Sequence, residues 1–400
     1  MTKMTVRDVD WRGKRALVRV DFNVPFERGT DRISDDVRIR EALPTIEHLR
    51  GAGASVVLCT HLGRPGGKPS AEFELGPVAD RLSELLGAPA VYVHDAPGGE
   101  ARNAAAALAP GGVLLIENVR FWPGEEANDT VFAASLAALA DVYVNDAFGA
   151  AHRAHASIEG VARLLPAVAG LLMEKEITFL GGVLHNPKRP LAALLGGAKA
   201  SDKLKVIDRL IGHADELFVG GGMAATFLKA QGCETGASLL EEDLVGFCAE
   251  TLARAEEAGT TVNLPSDVVV AEKIEPGVET FVVPADQSPP GMMMLDIGPE
   301  TAAGYARRLA AMGSVVWNGP MGVFEVPPFD RGTREIAVAL ADSPAVTVIG
   351  GGSTAEAVGA LGLADKMSHV STGGGASLEF LEGSELPGVA ALNDAQPVRS

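Results

Sequence analysis

Cysteine is scarce in this 400-residue chain: Cys59, Cys233 and Cys248 stand far apart. They are too few and too scattered for a disulfide framework or a cysteine-clustered zinc site, and they read as reduced thiols. Positive charge is also in deficit. Lys and Arg number 34 against 52 Asp and Glu, a net charge of −18. That argues against nucleic acid as the main partner, because a phosphate backbone calls for a basic stripe. No apolar run approaches the roughly 18–20 residues that span a bilayer, so no membrane association is expected. The opening residues, MTKMTVRDVDWRGKR, contain no apolar leader core, and the expected location is cytoplasmic. A GxxxxGK[ST] phosphate loop and an HRD-type catalytic loop are both absent, as is any fixed-period repeat.

What is present is a globular composition, 47% hydrophobic and 22% charged, in a chain long enough to predict two domains. Most of the acidic excess lies after residue 170. Apolar strand-like runs recur at RALVRV (15–20), ASVVLC (54–59), VLLIE (113–117), DVYVN (141–145), LAALL (191–195), ELFVG, SVVW (314–317) and AVTVI (345–349). Stretches of helical period such as TVFAASLAALA (130–140) separate them. Continuous apolar strands alternating with helices predict parallel sheets covered on both faces. Between 160 and 190 a helical stretch of about 15 residues is expected to end at the Gly181-Gly182 pair and Asn186-Pro187, a plausible domain junction; an internal surface helix is the alternative.

Five basic residues stand mostly where strands run out: Arg38 in DDVRIR, His61 and Arg64 in HLGRP, Arg120 in IENVRF and Arg153 in NDAFGAAHRAH. Singly each is an ordinary surface or turn residue. Converging, they make a trap for a small multiply charged anion, since guanidinium forks match carboxylate and phosphate oxygens two at a time. In RVDFNVP, Asn23 offers an amide donor and Asp21 an acceptor suited to a hydroxyl, although both also suit a turn before Pro25. The second half carries glycine-rich turns instead. GGAKASDK (196–203) puts Lys199 and Lys203 at i, i+4, expected on one face of an opening helix; an ordinary turn and surface helix is the alternative. IGGGSTAEAV (349–358) matches a dinucleotide fingerprint, but the next segment, HVSTGGGAS, lacks the ribose-binding carboxylate, which weakens a dehydrogenase reading. A non-catalytic two-domain binding protein would need no such lysine pair. WNGPMGVFE (317–325) offers Asn318 and Glu325, the latter to ribose hydroxyls, or is a Gly-Pro turn.

RVDFNVP, HLGRP, IENVRF, VNDAFGAAHRAH, LGGAKASDK, GGGMAATF, LDIGPET, VVWNGPMGVFE, IGGGST and HVSTGGGASLEFLEG, in that order, resemble phosphoglycerate kinases from end to end. The resemblance implies an α/β fold with two Rossmann-like domains of parallel sheets flanked by helices, joined by a hinge helix. Domains of 1–170 plus 387–400, for the acid substrate, and 171–386, for the nucleotide, are expected, the tail docking on the first. Site residues carried over are Asp21, Phe22, Asn23, Arg38, His61, Leu62, Gly63, Arg64, Arg120 and Arg153 for 3-phosphoglycerate or 1,3-bisphosphoglycerate. For ADP or ATP with Mg²⁺ they are Gly197, Lys199, Lys203, Gly221, Asn318, Glu325, Gly351, Gly352, Ser353 and Thr354. Where the family usually has GGGDT with the Asp on magnesium, this chain has Ser353, so no metal ligand is assigned. A monomer is expected. The acceptor carboxylate is already ionised at pH 7, so no general base is needed. Arg38 is expected to meet the transferring phosphoryl group, with Lys199, Lys203 and the amides around Gly373 and Gly374 taking charge on the nucleotide side.

Overall fold

A computed structural model describes residues 3–395. The chain divides into two compact units, one of the residues up to 177 together with those from 385 on, the other of 178–384. In the first, β1 (Arg15–Arg19), β2 (Ser55–Cys59), β3 (Ala90–Val93), β4 (Val113–Ile116), β5 (Val142–Asn145) and β6 (Ala167–Ala169) form a six-stranded sheet ordered β3-β4-β2-β1-β5-β6. Every pairing is parallel.

The second unit repeats the plan. β7 (Leu191–Leu195), β8 (Glu216–Val219), β9 (Glu234–Thr235), β10 (Thr261–Asn263), β11 (Asp267–Ala271), β12 (Phe281–Pro284), β13 (Gln287–Ser288), β14 (Met293–Ile297), β15 (Ser314–Asn318), β16 (Val346–Gly350) and β17 (His369–Val370) follow in order. Six of them form an all-parallel sheet ordered β10-β8-β7-β15-β16-β17. The sequence does not announce the antiparallel β12-β11-β14 sheet beside it.

All residues of β2, β4 and β7 are buried. A parallel strand with helices on both faces has no solvent side, so these segments are unbroken apolar runs. β3, β6, β10 and β17 carry no such long run: all four are sheet edges of at most four residues. Helix ends follow local rules, as in Gly76–Leu86, which has proline in its first turn and closes on left-handed Gly87.

The helix Leu171–His185 crosses the division between the units. Contrary to the expected glycine break, it continues through Gly181 and Gly182. Burial of Leu180, Val183 and Leu184 outweighs the roughly 1 kcal/mol that each helical glycine costs. The helix stops before Asn186-Pro187, as a residue preceding proline disfavours helix. No helix among the described residues is long and apolar enough to cross a membrane.

The C-terminal segment belongs to the first unit. Gly388 N donates to Ala151 O at 2.8 Å and Asn393 N to Ala167 O at 2.9 Å, while Asn145 Nδ2 donates to Gly388 O at 3.1 Å.

In both sheets the chain winds outward from one central strand and then crosses to its other side. The reversal falls at β1 and β5 in the first unit and at β7 and β15 in the second. Loops leaving adjacent strands in opposite directions open a crevice there.

Candidate active site

The first unit builds its site from the loops that follow β1, β2, β4 and β5. After β1 the chain turns through Asp21, Phe22 and Asn23. Phe22 is fully buried in the core with Val18, Ile39 and Leu58, and its amide donates to the Thr60 hydroxyl at 2.9 Å. The neighbours on either side stay partly exposed. Asp21 Oδ1 accepts from Arg38 Nη1 at 3.0 Å, and Asn23 Oδ1 accepts from Gly63 N at 2.9 Å. The amide nitrogen of Asn23 remains as its donor.

Asn118, in the turn after β4, clasps the loop after β2. Its Oδ1 accepts from Leu62 N at 3.2 Å and Arg120 N at 3.1 Å; its Nδ2 donates to Leu62 O at 2.8 Å and Phe73 O at 3.0 Å. Glu117 Oε1 in turn accepts from Asn118 N at 2.7 Å. Gly63 sits inside this clasp, its carbonyl accepting from Arg120 Nη1 at 2.7 Å. Its φ is +60° and a Cβ would lie 2.2 Å from the Phe73 ring, so no side chain fits.

The cations converge on His61. Burial, then Arg19, Arg120, Arg153 and Arg38, push its imidazole well below the usual range. Burial followed by Arg153 brings even Arg120 down to about 10. Burial and then Arg120, Arg19 and Arg153 lower His155 to about 4. Arg153 Nε donates to His152 Nε2 at 3.2 Å. Arg64 is exposed, with no hydrogen bond or ion pair among the described residues. Such a field favours an incoming anion over another cation.

The second unit holds a cavity of about 290 Å³ at the β7–β15 reversal, edged by the helix Gly352–Ala360. Lys199, Asp202, Lys203, Asn318, Ser353 and Thr354 contribute its polar side chains. The turns after β7 and β15 lie backbone on backbone: a Cβ on Gly319 would sit 2.2 Å from Gly196 O. Lys203 Nζ donates to Asn318 Oδ1, and burial lowers the lysine's pKa. Asn318 Nδ2 is buried without a protein partner, a donor that a ligand atom could satisfy. Backbone N–H groups at the start of Gly352–Ala360 add positive potential. Thr354 Oγ1 accepts from Gly319 N at 2.7 Å, tying two of the loops together.

A family profile described as phosphoglycerate kinase matches residues 6–384. The phosphoglycerate kinase of Herpetosiphon aurantiacus is 56% identical over 394 residues, covering 98% of this chain and all of that one. That of Pelotomaculum thermopropionicum is 58% identical over the same share of each. The chain belongs to the phosphoglycerate kinase family. The solved phosphoglycerate kinase of Coxiella burnetii superposes with a TM-score of 0.90 at 42% identity, over 97% of this chain and 98% of that one. That of Pyrococcus horikoshii gives 0.84 at 34%, over the same shares. A phosphoglycerate kinase moves a phosphoryl group reversibly between 1,3-bisphosphoglycerate and ADP, giving 3-phosphoglycerate and ATP. Its substrates are small molecules, ADP and ATP among them.

Set against this family's chemistry, Gly197, Lys199, Lys203, Asn318, Gly351, Gly352, Ser353, Thr354 and Gly374 line the second unit's cavity, whereas Gly221, Glu325 and Gly373 do not. Gly221 lies behind it, its N donating to Met321 O at 2.8 Å, and Gly373 N donates to the Ser371 hydroxyl. Glu325 is exposed beyond β15. The expected helical face for Lys199 and Lys203 is corrected. Ser201–Lys203 is a 3₁₀ turn, Lys203 is the N-cap of the helix Leu204–Leu210, and Lys199 precedes both. Glu241 Oε2 accepts from Ser201 N at 3.1 Å and anchors that turn. Phe22 and Leu62 give their side chains to the core, and both Leu62 backbone groups are taken by Asn118. The motifs gave no hint of Arg19, Thr60, Glu125 or Asn118. An asparagine two positions before an expected site arginine was the one available signal.

Proposed function

We propose that the first unit binds 3-phosphoglycerate or 1,3-bisphosphoglycerate through Asp21, Asn23, Arg38, His61, Arg64, Arg120 and Arg153, and that the second binds the nucleotide through the cavity around Lys199, Lys203 and Asn318. The convergence of Arg19, Arg38, Arg120 and Arg153 on one buried histidine carries the reading. Asp21 and Glu126 pair with Arg38 and Arg120, but cations remain in excess around the histidine, and an anion held at several oxygens stabilises that excess. Asn23 and His61 supply neutral donors, and Asp21 accepts from the glycerate hydroxyl.

The attacking carboxylate is ionised at neutral pH, so no side chain needs to remove a proton. Catalysis is then positioning and charge stabilisation at a loose transition state. Arg38, held at the rim by Asp21 and only partly buried, meets the transferring group. Lys199 and Lys203 take charge on the nucleotide side. Transfer needs the reacting oxygen and phosphorus at about 3–3.5 Å, so the two ligand-bearing units close during the cycle, which also excludes water from the acyl phosphate.

The donor set fits a magnesium ion that arrives on the nucleotide. Asp202 is the one carboxylate among the residues lining the cavity, with Ser353 and Thr354 as hydroxyls. Mg²⁺ characteristically leans on one or two carboxylates, substrate phosphates and water. When bound, the ion would neutralise phosphate charge, with Asp202 holding it. One chain supplies both sites, which supports a working monomer. The free cysteines agree with a reducing cytoplasm.

The test is a coupled assay of ATP formation. Arg153→Ala should raise the KM for 3-phosphoglycerate and leave that for ATP unchanged in the reverse direction; Lys203→Ala should do the opposite. A reversed or shared effect would overturn the assignment of the two sites.

A further inference from the structure

A chain of buried groups behind the anion site has no place in the mechanism so far. Glu125 is fully buried; its Oε1 accepts from Ser157 Oγ at 2.6 Å and its Oε2 from Ser157 N at 2.9 Å. Ser157 Oγ accepts from Arg19 Nε at 2.8 Å. Arg19, only 1% exposed, also donates from Nη1 to Val20 O, and its Nη2 lies 3.0 Å from His61 Nδ1. Tyr143 donates its hydroxyl proton to Ser157 O at 2.8 Å and fixes the serine's backbone.

The direction of the Arg19–His61 hydrogen bond is forced. Guanidinium has five donors, no acceptor and no neutral form at accessible pH. His61 Nδ1 must therefore accept, and the ring's proton must sit on Nε2. We propose that Arg19 is a positioning residue that locks His61 as the neutral Nε2–H tautomer, with Ser157 and Glu125 holding the guanidinium in register. Glu125 supplies the counter-charge that lets Arg19 stay buried.

The lock gives His61 one task and removes another. It presents a neutral N–H donor to the ligand. It cannot act as a base, because Nε2 is protonated and Nδ1 is blocked. The charged groups around the ring agree: Arg19 from β1, Asp21 with Oδ1 4.0 Å from Nδ1, Arg38 from the helix Val37–Gly51, Arg120 after β4 and Arg153 after β5. Four arginines act on the ring against Asp21, with Glu125 beyond Arg19, so imidazolium is disfavoured. In the family's reaction the lock matters only if His61 touches the phosphoglycerate, so its functional side rests on the site assigned above.

The experiment is a long-range ¹H–¹⁵N spectrum of the full, ligand-free chain labelled at histidine, with His61 assigned by its loss in His61→Gln. At pH 7 the expected pattern is a protonated Nε2 and an unprotonated Nδ1, unchanged down to about pH 5, well below an ordinary histidine's midpoint. The opposite tautomer, a mixture or imidazolium would overturn the proposal. Arg19→Met should mix the tautomers and raise the 3-phosphoglycerate KM about tenfold, the worth of one charge-assisted hydrogen bond, with the ATP KM unchanged. Arg19→Lys, still a pure donor, should restore the single tautomer. A single Nε2–H tautomer in folded Arg19→Met would refute the lock. Should Arg19→Met not fold, Ser157→Ala frees Nε and must loosen the tautomer in the same sense; an unchanged spectrum there counts against the proposal. If 3-phosphoglycerate leaves the His61 signals unmoved, the site assignment fails while the lock itself stands on the ligand-free spectrum.

Discussion

Replacing Asn118 with leucine removes four hydrogen bonds and almost no volume. The two side chains share a branched outline, so packing is roughly conserved. What is lost is the partner of Leu62 N, Leu62 O, Phe73 O and Arg120 N. Asn118 is fully buried, so water cannot freely replace it. Each stranded backbone group costs about 1–3 kcal/mol. The loop after β2 can shift to recover part of that, which leaves a net loss of about 3–5 kcal/mol. The same shift moves Gly63 away from Arg120 and displaces His61. Asn118→Leu should therefore unfold at lower urea concentration and show a raised KM for 3-phosphoglycerate, with the KM for ATP unchanged because the second unit's cavity is untouched. Urea titration and initial rates read both effects. A variant within about 0.5 kcal/mol of the parent and with both KM values unaltered would refute the view that this residue organises the site.

Three further predictions follow from particular side chains. Arg38→Ala should lower kcat by about 10³-fold or more, as for other arginines that meet transferring phosphoryl charge, while 3-phosphoglycerate binding weakens far less; near-normal kcat with a raised KM would remove Arg38 from that role. Ser353→Asp should lower the Mg²⁺ concentration needed for half-maximal rate, since it adds a second carboxylate beside Asp202; an unchanged or higher requirement would show that the metal gains nothing there. Asp146 is fully buried, and burial raises its pKa from 3.8 to about 6 although its Oδ1 accepts from Leu172 N and Met173 N. A carboxyl raised on folding binds its proton more tightly in the native state, so its contribution falls as pH rises from about 4 to 6 and stays low above that. Asp146→Asn should gain on the parent by about 2–3 kcal/mol across that window; a pH-independent difference in urea titrations at pH 4.5 and 7 would contradict this.

The strand–helix alternation, the parallel sheets and the cation-bearing strand ends are legible in the order of residues alone. β2, β4 and β7 are apolar throughout because both faces are covered, and that pattern is local. HLGRP, GGAKASDK and IGGGST are legible for the same reason: a glycine turn and its flanking polar residues lie within a few positions. Short edge strands such as β3 and β6 left no mark, since an edge needs no continuous apolar run. Gly181 and Gly182 misled, because the helix they sit in is held by buried leucine and valine rather than by propensity. The support of the site was beyond sequence reasoning altogether. Asn118 grips residues 45 and 56 positions away, and Arg19 reaches Ser157 across 138. Only the tertiary structure brings such partners within 3 Å of each other, and only there does burial decide that an arginine is a lock rather than a ligand and that a histidine is neutral. Short-range physics writes itself into neighbouring residues; desolvation and hydrogen bonding between distant segments exist only once the chain has folded.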